Sequence, residues 1–200
     1  CESSRVPIVI TLNPCAPIPE LVWAKNFGSN SYSLDMITDA TGNVYTTGIF
    51  SSTSDFDPGA GTFTLSSAGQ ADAYVSKLDA AGNFVWAVRY GSSQTDQGNS
   101  IALDASGNIY VTGNFQNTVD FDPGVGSFPI ASLGSYDSYI LKLDNNGNFI
   151  WAKSFGASGS SQEIGSGITV DASGNIYSSG HYSATVDFDP GAGTSFLATS

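Results

Sequence analysis

The sequence predicts an all-β chain made of tandem copies of one four-stranded sheet, and three observations lead to this fold class. Trp23, Trp86 and Trp151 recur at nearly equal intervals within the related strings LVWAKNFG, FVWAVRYG and FIWAKSFG. The strings GNVYTTG, GNIYVTG and GNIYSSG recur at almost the same interval. A pattern Asp-x-x-Gly-Asn occurs five times between apolar runs. Repetition at a fixed period is the signature of a repeat architecture.

Each repeat is predicted to contain two hairpins, and therefore four strands. The Asp-x-x-Gly-Asn pattern fits a tight turn, because the Asp side chain can accept hydrogen bonds from the turn amides and Gly tolerates a positive φ. Long and short gaps alternate between the five copies, which begin at Asp39, Asp79, Asp104, Asp144 and Asp171. In the second repeat we expect strands near residues 99–104, 108–115, 136–144 and 148–155.

The first twenty residues differ from the repeats and are predicted to form an extended N-terminal tether. They are spaced by Pro7, Pro14, Pro17 and Pro19, and proline stiffens a linker. A chain that opens with Cys1 is typical of a bacterial lipoprotein after signal-peptide removal, in which that cysteine carries acyl chains. The alternative is a Cys1–Cys15 disulfide across a short loop. Both interpretations place the protein outside the cytoplasm.

The composition narrows the classes of partner. The net charge is −12 and the isoelectric point is near 4.1, which argues against a nucleic-acid partner, since a phosphate backbone requires clustered Lys and Arg. The same charge argues against adsorption to anionic lipid, so we expect membrane contact only through an N-terminal lipid anchor. Charged residues make up only 12% of the chain, a composition that suits an extracellular β protein.

A known family shares these motifs. Four antiparallel strands repeated at a fixed length are typical of the blades of a β-propeller. The strings DASGNIYVTG, DAYVSKLDAAGNFVWA and DSYILKLDNNGNFIWAKSFG resemble the SBBP-type β-propeller repeats of secreted and surface bacterial proteins. The resemblance covers residues 21–200, in which the repeats predict one lone strand, two full blades and one incomplete blade. It implies no single activity.

The blades differ from common ones in length, and the array has open ends. Each repeat takes about 65 residues, against about 40 to 50 in common blades, and the excess contains a DFDPG segment that we expect at one rim. A lone Trp strand at residues 21–27 suggests a ring, completed by further repeats, in which the first and last segments share a blade. The alternative is an open stack that joins other copies edge to edge.

The DFDPG segment returns three times and offers two carboxylates each time. One interpretation is scaffold: the second Asp accepts turn amides, Gly124 takes a positive φ, and Phe121 anchors the loop on the opposite face. The other is a Ca²⁺ site, although Ca²⁺ takes six to eight oxygens and the third side chain of the usual loop pattern is missing. The candidate ligands are Asp55, Asp57, Asp120, Asp122, Asp187 and Asp189.

Few residues suggest catalysis. The single histidine, His181, replaces Ile49 and Asn114 of the earlier repeats, and a lone histidine is more often without a catalytic role. The carboxylate pairs occur in three equal copies, which favours structure, since an active site is usually built once. The three tryptophans are interpreted as core or blade-packing residues. No cofactor other than Ca²⁺ is expected.

We therefore expect a non-catalytic binding or scaffolding module outside the cell or on the outer-membrane surface of a Gram-negative bacterium. Its expected partner is an envelope or secreted protein, or an extracellular polysaccharide. Two alternatives remain: a structural subunit that assembles through β-strand edges, and the non-catalytic part of a larger secreted hydrolase.

Overall fold

The computed structural model describes residues 9–12, 21–189, 191 and 193–198, and this part of the chain consists of antiparallel strands and their connections. The strands are β1 (Val9–Leu12), β2 (Leu21–Lys25), β3 (Ser31–Thr38), β4 (Val44–Phe50), β5 (Thr53–Asp55), β6 (Thr64–Ser66), β7 (Asp72–Leu78), β8 (Phe84–Tyr90), β9 (Gln97–Leu103), β10 (Ile109–Phe115), β11 (Thr118–Asp120), β12 (Pro129–Ala131), β13 (Asp137–Leu143), β14 (Phe149–Phe155), β15 (Ile164–Val170), β16 (Ile176–His181), β17 (Val186–Asp187) and β18 (Phe196–Leu197).

Two complete four-stranded sheets confirm the predicted blades. Sheet I has the order β3-β4-β7-β8 and sheet II the order β9-β10-β13-β14, each with antiparallel neighbours. Each sheet therefore carries the first strand of its repeat at one edge and the Trp strand at the other. The four strands of sheet II lie within two residues of the predicted ranges.

The five Asp-x-x-Gly-Asn segments form the predicted turns. In each turn the glycine has a positive φ, from 77° at Gly82 to 85° at Gly42. At Asp104, Oδ1 accepts from the amides of Ser106 and Asn108, both at 2.9 Å. Because these bonds close within five residues, the turn is specified locally.

Neighbouring sheets pack face to face through their first strands. Oδ2 of Asp35 in β3 accepts from the Ser100 hydroxyl at 2.8 Å and from the Ile101 amide at 2.9 Å, both in β9. In turn, the Ile168 amide of β15 donates to the Ser100 hydroxyl at 3.4 Å. The strands β3, β9 and β15 thus lie side by side, as the first strands of propeller blades do.

The core lies between sheets I and II. It consists of fully buried apolar side chains contributed by both sheets, among them Tyr45, Val75, Val111 and Leu141. The middle strands β4, β7 and β10 are buried along nearly their whole length, because another sheet or hairpin covers each of their faces. This burial explains their continuous run of apolar and small residues.

Both ends of the array are half sheets. The third repeat contributes the hairpin β15–β16, and at the other end β1 pairs with β2. The strand β1 falls within the segment predicted to be an extended tether. The predicted lipidation site Cys1, and Cys15, lie outside the described residues. Where the chain is described, no helix is long and apolar enough to cross a membrane.

Candidate functional site

The inserted DFDPG segment folds as a short second hairpin in each repeat. The pairs β5–β6, β11–β12 and β17–β18 each come directly after the second strand of a repeat. The Asp-x-x-Gly-Asn turns join strands at the opposite end of the sheets, because successive connections of an antiparallel meander alternate between the two ends. We call β5–β6, β11–β12 and β17–β18, with their connecting residues, the rim hairpins.

The first aspartate of each rim hairpin bonds to the backbone of its own hairpin. Oδ1 of Asp120 accepts from the amide of Asp122 at 3.1 Å and from the amide of Phe128 at 2.7 Å. Desolvation acts to raise the pKa of Asp120, but the bonds from Phe128, the Ser127 side chain and Asp122 outweigh it and hold that pKa below its ordinary value. Asp55 and Asp187 accept from the same two relative positions.

The second aspartate closes the turn after it. Oδ1 of Asp122 accepts from the Gly124 amide at 2.8 Å, and Asp57 and Asp189 do the same in their repeats. The other carboxylate oxygen of Asp122, Oδ2, occupies the space that a Cβ on Gly126 would need. The prediction of a positive φ at Gly124 was wrong, since Gly124 is not among the glycines with a positive φ. The hydrogen bond from the Gly124 amide to the Asp122 carboxylate closes the turn without a positive φ.

The phenylalanine between the two aspartates fixes the rim hairpin to the seam between sheets. Phe121 is fully buried, and its ring lies 5.7 Å from Tyr90 of sheet I, 5.2 Å from Phe115 and 5.0 Å from Tyr139. A matching four-ring cluster occurs in the first repeat, formed by Phe27, Phe50, Phe56 and Tyr74. The predicted anchoring role of Phe121 is confirmed.

The carboxylates of the rim hairpins are therefore engaged by backbone donors. Within the described residues, no group of three His, Cys, Asp or Glu side chains is arranged to hold a metal ion. The backbone amides occupy the Oδ1 atoms of Asp120 and Asp122, so a Ca²⁺ ion there would have to be held by their Oδ2 atoms. The geometry favours the scaffold interpretation, and the Ca²⁺ site remains a hypothesis.

Several exposed apolar side chains belong to the rim hairpins or lie directly beside them. Val125 is fully exposed at the tip of the second rim hairpin, and Leu133 is 65% exposed at its base. Phe128 is 39% exposed and rests on Phe149 with ring centroids 4.9 Å apart. In the first repeat, Phe63 on Phe84 repeats that arrangement at 4.7 Å. Phe63 and Phe128 thus present an apolar ring at the same position of two rim hairpins, whereas the positions of Val125 and Leu133 hold Ala60 and Ala68 in the first repeat.

All three tryptophans are half-buried, and Trp23 and Trp86 lie at seams between sheets. The indole of Trp23 donates to the Ala80 carbonyl at 3.1 Å, and that of Trp86 donates to the Asn145 carbonyl at 3.3 Å. Each bond runs from a Trp strand to the last turn of the following sheet. Trp86 and Trp151 also lie edge to face against a tyrosine of their own sheet, Tyr45 and Tyr110 respectively.

Four buried acidic residues were not predicted from the sequence. Asp72 and Asp137 begin the third strands, Asp96 and Glu163 precede the first strands, and all four are at most 1% exposed. Oδ1 of Asp96 accepts from the Gln116 amide at 2.9 Å. Desolvation raises the pKa of Asp96 and of Asp137 above the ordinary value. The strings DAY and DSY, at the same position of successive repeats, could have revealed Asp72 and Asp137.

A cavity of about 340 Å³ lies beside β16 at the end of the array. Its lining includes three rings that match members of the four-ring clusters, Phe155, Tyr182 and Phe188. His181, the histidine singled out in the sequence, also lines it. In sheets I and II the fourth ring of the cluster is a tyrosine of the third strand, so the cavity lies where that strand would pass.

Comparisons with known proteins agree with this architecture. Residues 85–114, which span most of β8, all of β9 and most of β10, match the family model described as "Beta-propeller repeat" (SBBP). The chain is 26% identical over 200 residues to "Uncharacterized WD repeat-containing protein L264" of Acanthamoeba polyphaga mimivirus, covering 87% of this chain and 14% of that protein. It is 26% identical over 130 residues to "Regulatory protein FlaEY" of Caulobacter vibrioides (strain ATCC 19089 / CIP 103742 / CB 15), covering 64% of this chain and 13% of that protein. The chain spans about one seventh of the length of these curated relatives.

Proposed function

We propose that this β-propeller repeat protein is a non-catalytic interaction module that binds a partner protein on its rim hairpins. One observation carries the proposal: hairpins of one design, each fixed internally by two aspartates and anchored by a phenylalanine, present apolar side chains on one side of the array. Rigid display of exposed apolar groups lowers the entropic cost of binding and is typical of protein interaction surfaces. The net charge of −12 favours a partner with complementary positive charge.

The carboxylate pairs give little support to catalysis. A general acid or nucleophile needs a carboxylate that is free to reach a substrate, whereas Oδ1 of Asp120 and of Asp122 is held by backbone amides. The arrangement is the same in each repeat. The proposal therefore assigns these residues to the shape of the binding surface. A larger protein containing this module could carry its chemistry elsewhere.

The proposed setting is the cell envelope. The low share of charged residues supports an extracellular or outer-membrane location, and the proposal includes a lipid anchor on Cys1. The partner is then an envelope or secreted protein, with extracellular polysaccharide as the competing ligand. Intact mass measurement of protein extracted from membranes tests the anchor: acyl chains on Cys1 support it, and an unmodified mass contradicts it.

A comparison of surface variants tests the binding surface. Wild type, the rim double variant V125S/L133S and the control I150S, which changes a residue 43% exposed on the Trp strand, are immobilised and exposed to envelope and secreted fractions. We expect a partner that wild type and I150S retain and the rim variant loses. Retention by all three variants, or binding of polysaccharide alone in calorimetry, would contradict the proposal.

A further inference from the structure

A second cavity, of about 280 Å³, lies at the seam between sheet II and β15. Two neighbouring repeats contribute its lining, which consists of Thr95, Gln97, Asn114, Tyr136 and Ile164. It lies at the end of the sheets that carries the rim hairpins, since Asn114 stands one residue before β10 ends and the chain continues into β11. The cavity is therefore a feature of the interior of the array, where one repeat meets the next.

Two amide side chains in this lining depart from the repeat. Gln97 of β9 lies opposite Asn114 of β10, and the matching pair in sheet I is Tyr32 opposite Ile49. An aromatic and an aliphatic side chain in the first repeat are thus replaced by two amides in the second. A residue that only holds the sheets together is expected to recur with the repeat, whereas a polar set found at one seam indicates a site built once.

Both amides point from sheet II towards β15. A Cβ on Gly165 of β15 would overlap the hydroxyl of Thr112, so Thr112 projects from β10 towards the third repeat. Asn114 lies two residues further along β10 and projects from the same face of the sheet. Gln97, which lies directly opposite Asn114 on the adjacent strand, shares that face.

The Asn114 amide is held in place and has a donor to spare. Its Oδ1 accepts from Nδ2 of Asn99 at 3.2 Å, and the same Nδ2 donates to the Gly165 carbonyl at 2.9 Å. Asn114 is only 4% exposed, and within the described residues its own Nδ2 has no acceptor. Buried polar groups nearly always have a hydrogen-bond partner, so this donor requires an acceptor from a molecule that enters the cavity.

The lining determines the chemistry of that molecule. None of the described residues in the lining carries a formal charge at neutral pH, and their amides and hydroxyls offer both donors and acceptors. The buried acids Asp96 and Glu163 are adjacent in the chain to lining residues, which disfavours an anionic ligand. Tyr136, where the first repeat has Ala71, adds an aromatic ring at this seam alone.

We infer that this cavity binds one unit of a neutral sugar. Hydroxyl groups of a sugar both donate and accept, as the Gln97 and Asn114 amides do, and the apolar face of a sugar ring suits an aromatic side chain. A volume of about 280 Å³ lies just below the roughly 300–1,000 Å³ of pockets that hold drug-sized ligands, so it fits a single ring. The site is distinct from the rim hairpins and does not depend on the partner protein proposed for them.

Ligand-observed NMR tests the ligand class. Saturation transfer from the intact chain is measured to the methyl glycosides of glucose, galactose, mannose and N-acetylglucosamine, with glucuronic acid as the anionic comparison. We expect transfer to at least one neutral glycoside and none to glucuronic acid. The absence of transfer to all four neutral glycosides, or stronger transfer to glucuronic acid than to any of them, would overturn the inference.

Two variants that restore the residue of the first repeat test the site. N114I removes the free donor and Y136A removes the ring, and each should weaken binding of the responsive glycoside about tenfold or more. The control N146S changes an exposed amide on a turn at the opposite end of the sheets and should bind as wild type does. Near-UV circular dichroism establishes that each variant is folded, and if N114I is not, Y136A decides the result.

The rim variant V125S/L133S separates this inference from the proposed function. It should lose the partner protein and keep the affinity of wild type for the glycoside. Equal glycoside affinity in wild type and folded Y136A would refute the sugar site, and loss of glycoside binding in the rim variant would place the sugar on the rim hairpins instead.

Discussion

The indole nitrogen of Trp86 donates to the main-chain carbonyl of Asn145 across 3.3 Å, and the two residues belong to different sheets. The side-chain oxygen Oδ1 of the same Asn145 accepts from the Lys77 ammonium at 2.6 Å and from the Tyr45 hydroxyl at 2.8 Å. Three side chains of sheet I thus converge on one turn of sheet II. The ring of Trp86 additionally packs against Gly147 of that turn, where a Cβ would come within 3.2 Å of it.

Replacing Trp86 by alanine should therefore uncouple the two sheets as well as remove packing. For a half-buried indole we expect a loss of about 2–4 kcal/mol in the free energy of unfolding, measured by urea titration with circular dichroism. W151A is the matched control, because within the described residues the Trp151 indole has no carbonyl partner in a following sheet. A loss in W151A equal to that in W86A would show that the seam contact contributes nothing.

The glycine that ends each GNIYVTG-type string should tolerate no side chain. A Cβ on Gly113 would overlap the Gln97 carbonyl oxygen of the adjacent strand, and Gly48 and Gly180 have the same constraint from Tyr32 and Ile164. Since the obstacle is backbone, G113A should cost about 3 kcal/mol or more. In G124A the nearest atom is the end of the Asp122 side chain at 3.0 Å, so we expect a loss below about 1 kcal/mol. Equal urea midpoints for the two variants would refute this explanation.

The rim hairpin should depend on the Asp120 carboxylate and not on calcium. D120A leaves the amides of Asp122 and Phe128 without their acceptor, so we expect the free energy of unfolding to fall by about 1–2 kcal/mol. D120N keeps one side-chain oxygen as an acceptor and should lose less. Adding millimolar CaCl₂ to wild type should leave the melting temperature unchanged, and EDTA should have no effect. A rise in melting temperature with calcium that D120N and D122N abolish would establish the metal site instead.

Stability should fall at low pH because of the turn aspartates. Although burial acts to raise it, hydrogen bonds from Asn43 and Thr41 lower the pKa of Asp39 from 3.8 to about 2. A depressed pKa gives stability that is fully present above the unfolded value and is lost as the pH falls through the folded value. The free energy of unfolding should therefore decrease below pH 3.8 and less steeply in D39N, as measured by urea titrations at successive pH values. An identical slope in D39N would exclude this contribution.

The buried acids should make the folded protein more stable as the pH falls from neutrality, which is the opposite of the effect of the turn aspartates. Burial raises the folded-state pKa of Asp96 and Asp137 above 3.8, so the folded protein binds protons before the unfolded chain does. Stability should then increase as the pH falls from neutrality through those raised values, and it should reach its maximum on the acid side of neutrality. D137N, which cannot ionise, should show a smaller increase. Stability in wild type that is flat from neutrality to the onset of acid unfolding would contradict this prediction.

Contiguous residues determined most of the secondary structure. The Asp-x-x-Gly-Asn turns close through bonds between residues two to four positions apart, so the string itself specifies the hairpin, the positive φ of Gly107 and the strands on either side. The repeat period then gave the number of complete sheets. The rim hairpin was recognised as an insertion, but its strands were too short to produce an alternation, and the φ of Gly124 depended on a side-chain bond that the pattern Asp-Pro-Gly does not specify.

Only the tertiary structure decided how the sheets are joined. The bonds from Trp23 and Trp86 reach carbonyls 57 and 59 residues away, and Asp35 reaches Ser100 across 65 residues. The buried carboxylate of Asp96 is likewise held from a distance, since its Oδ1 accepts from the Gln116 amide 20 residues away. Such contacts cannot be predicted from a short segment of sequence, because they depend on which face of one sheet packs against the next. By itself the sequence determined the repeated unit, and the packing of one unit against another determined the seams and the buried charges.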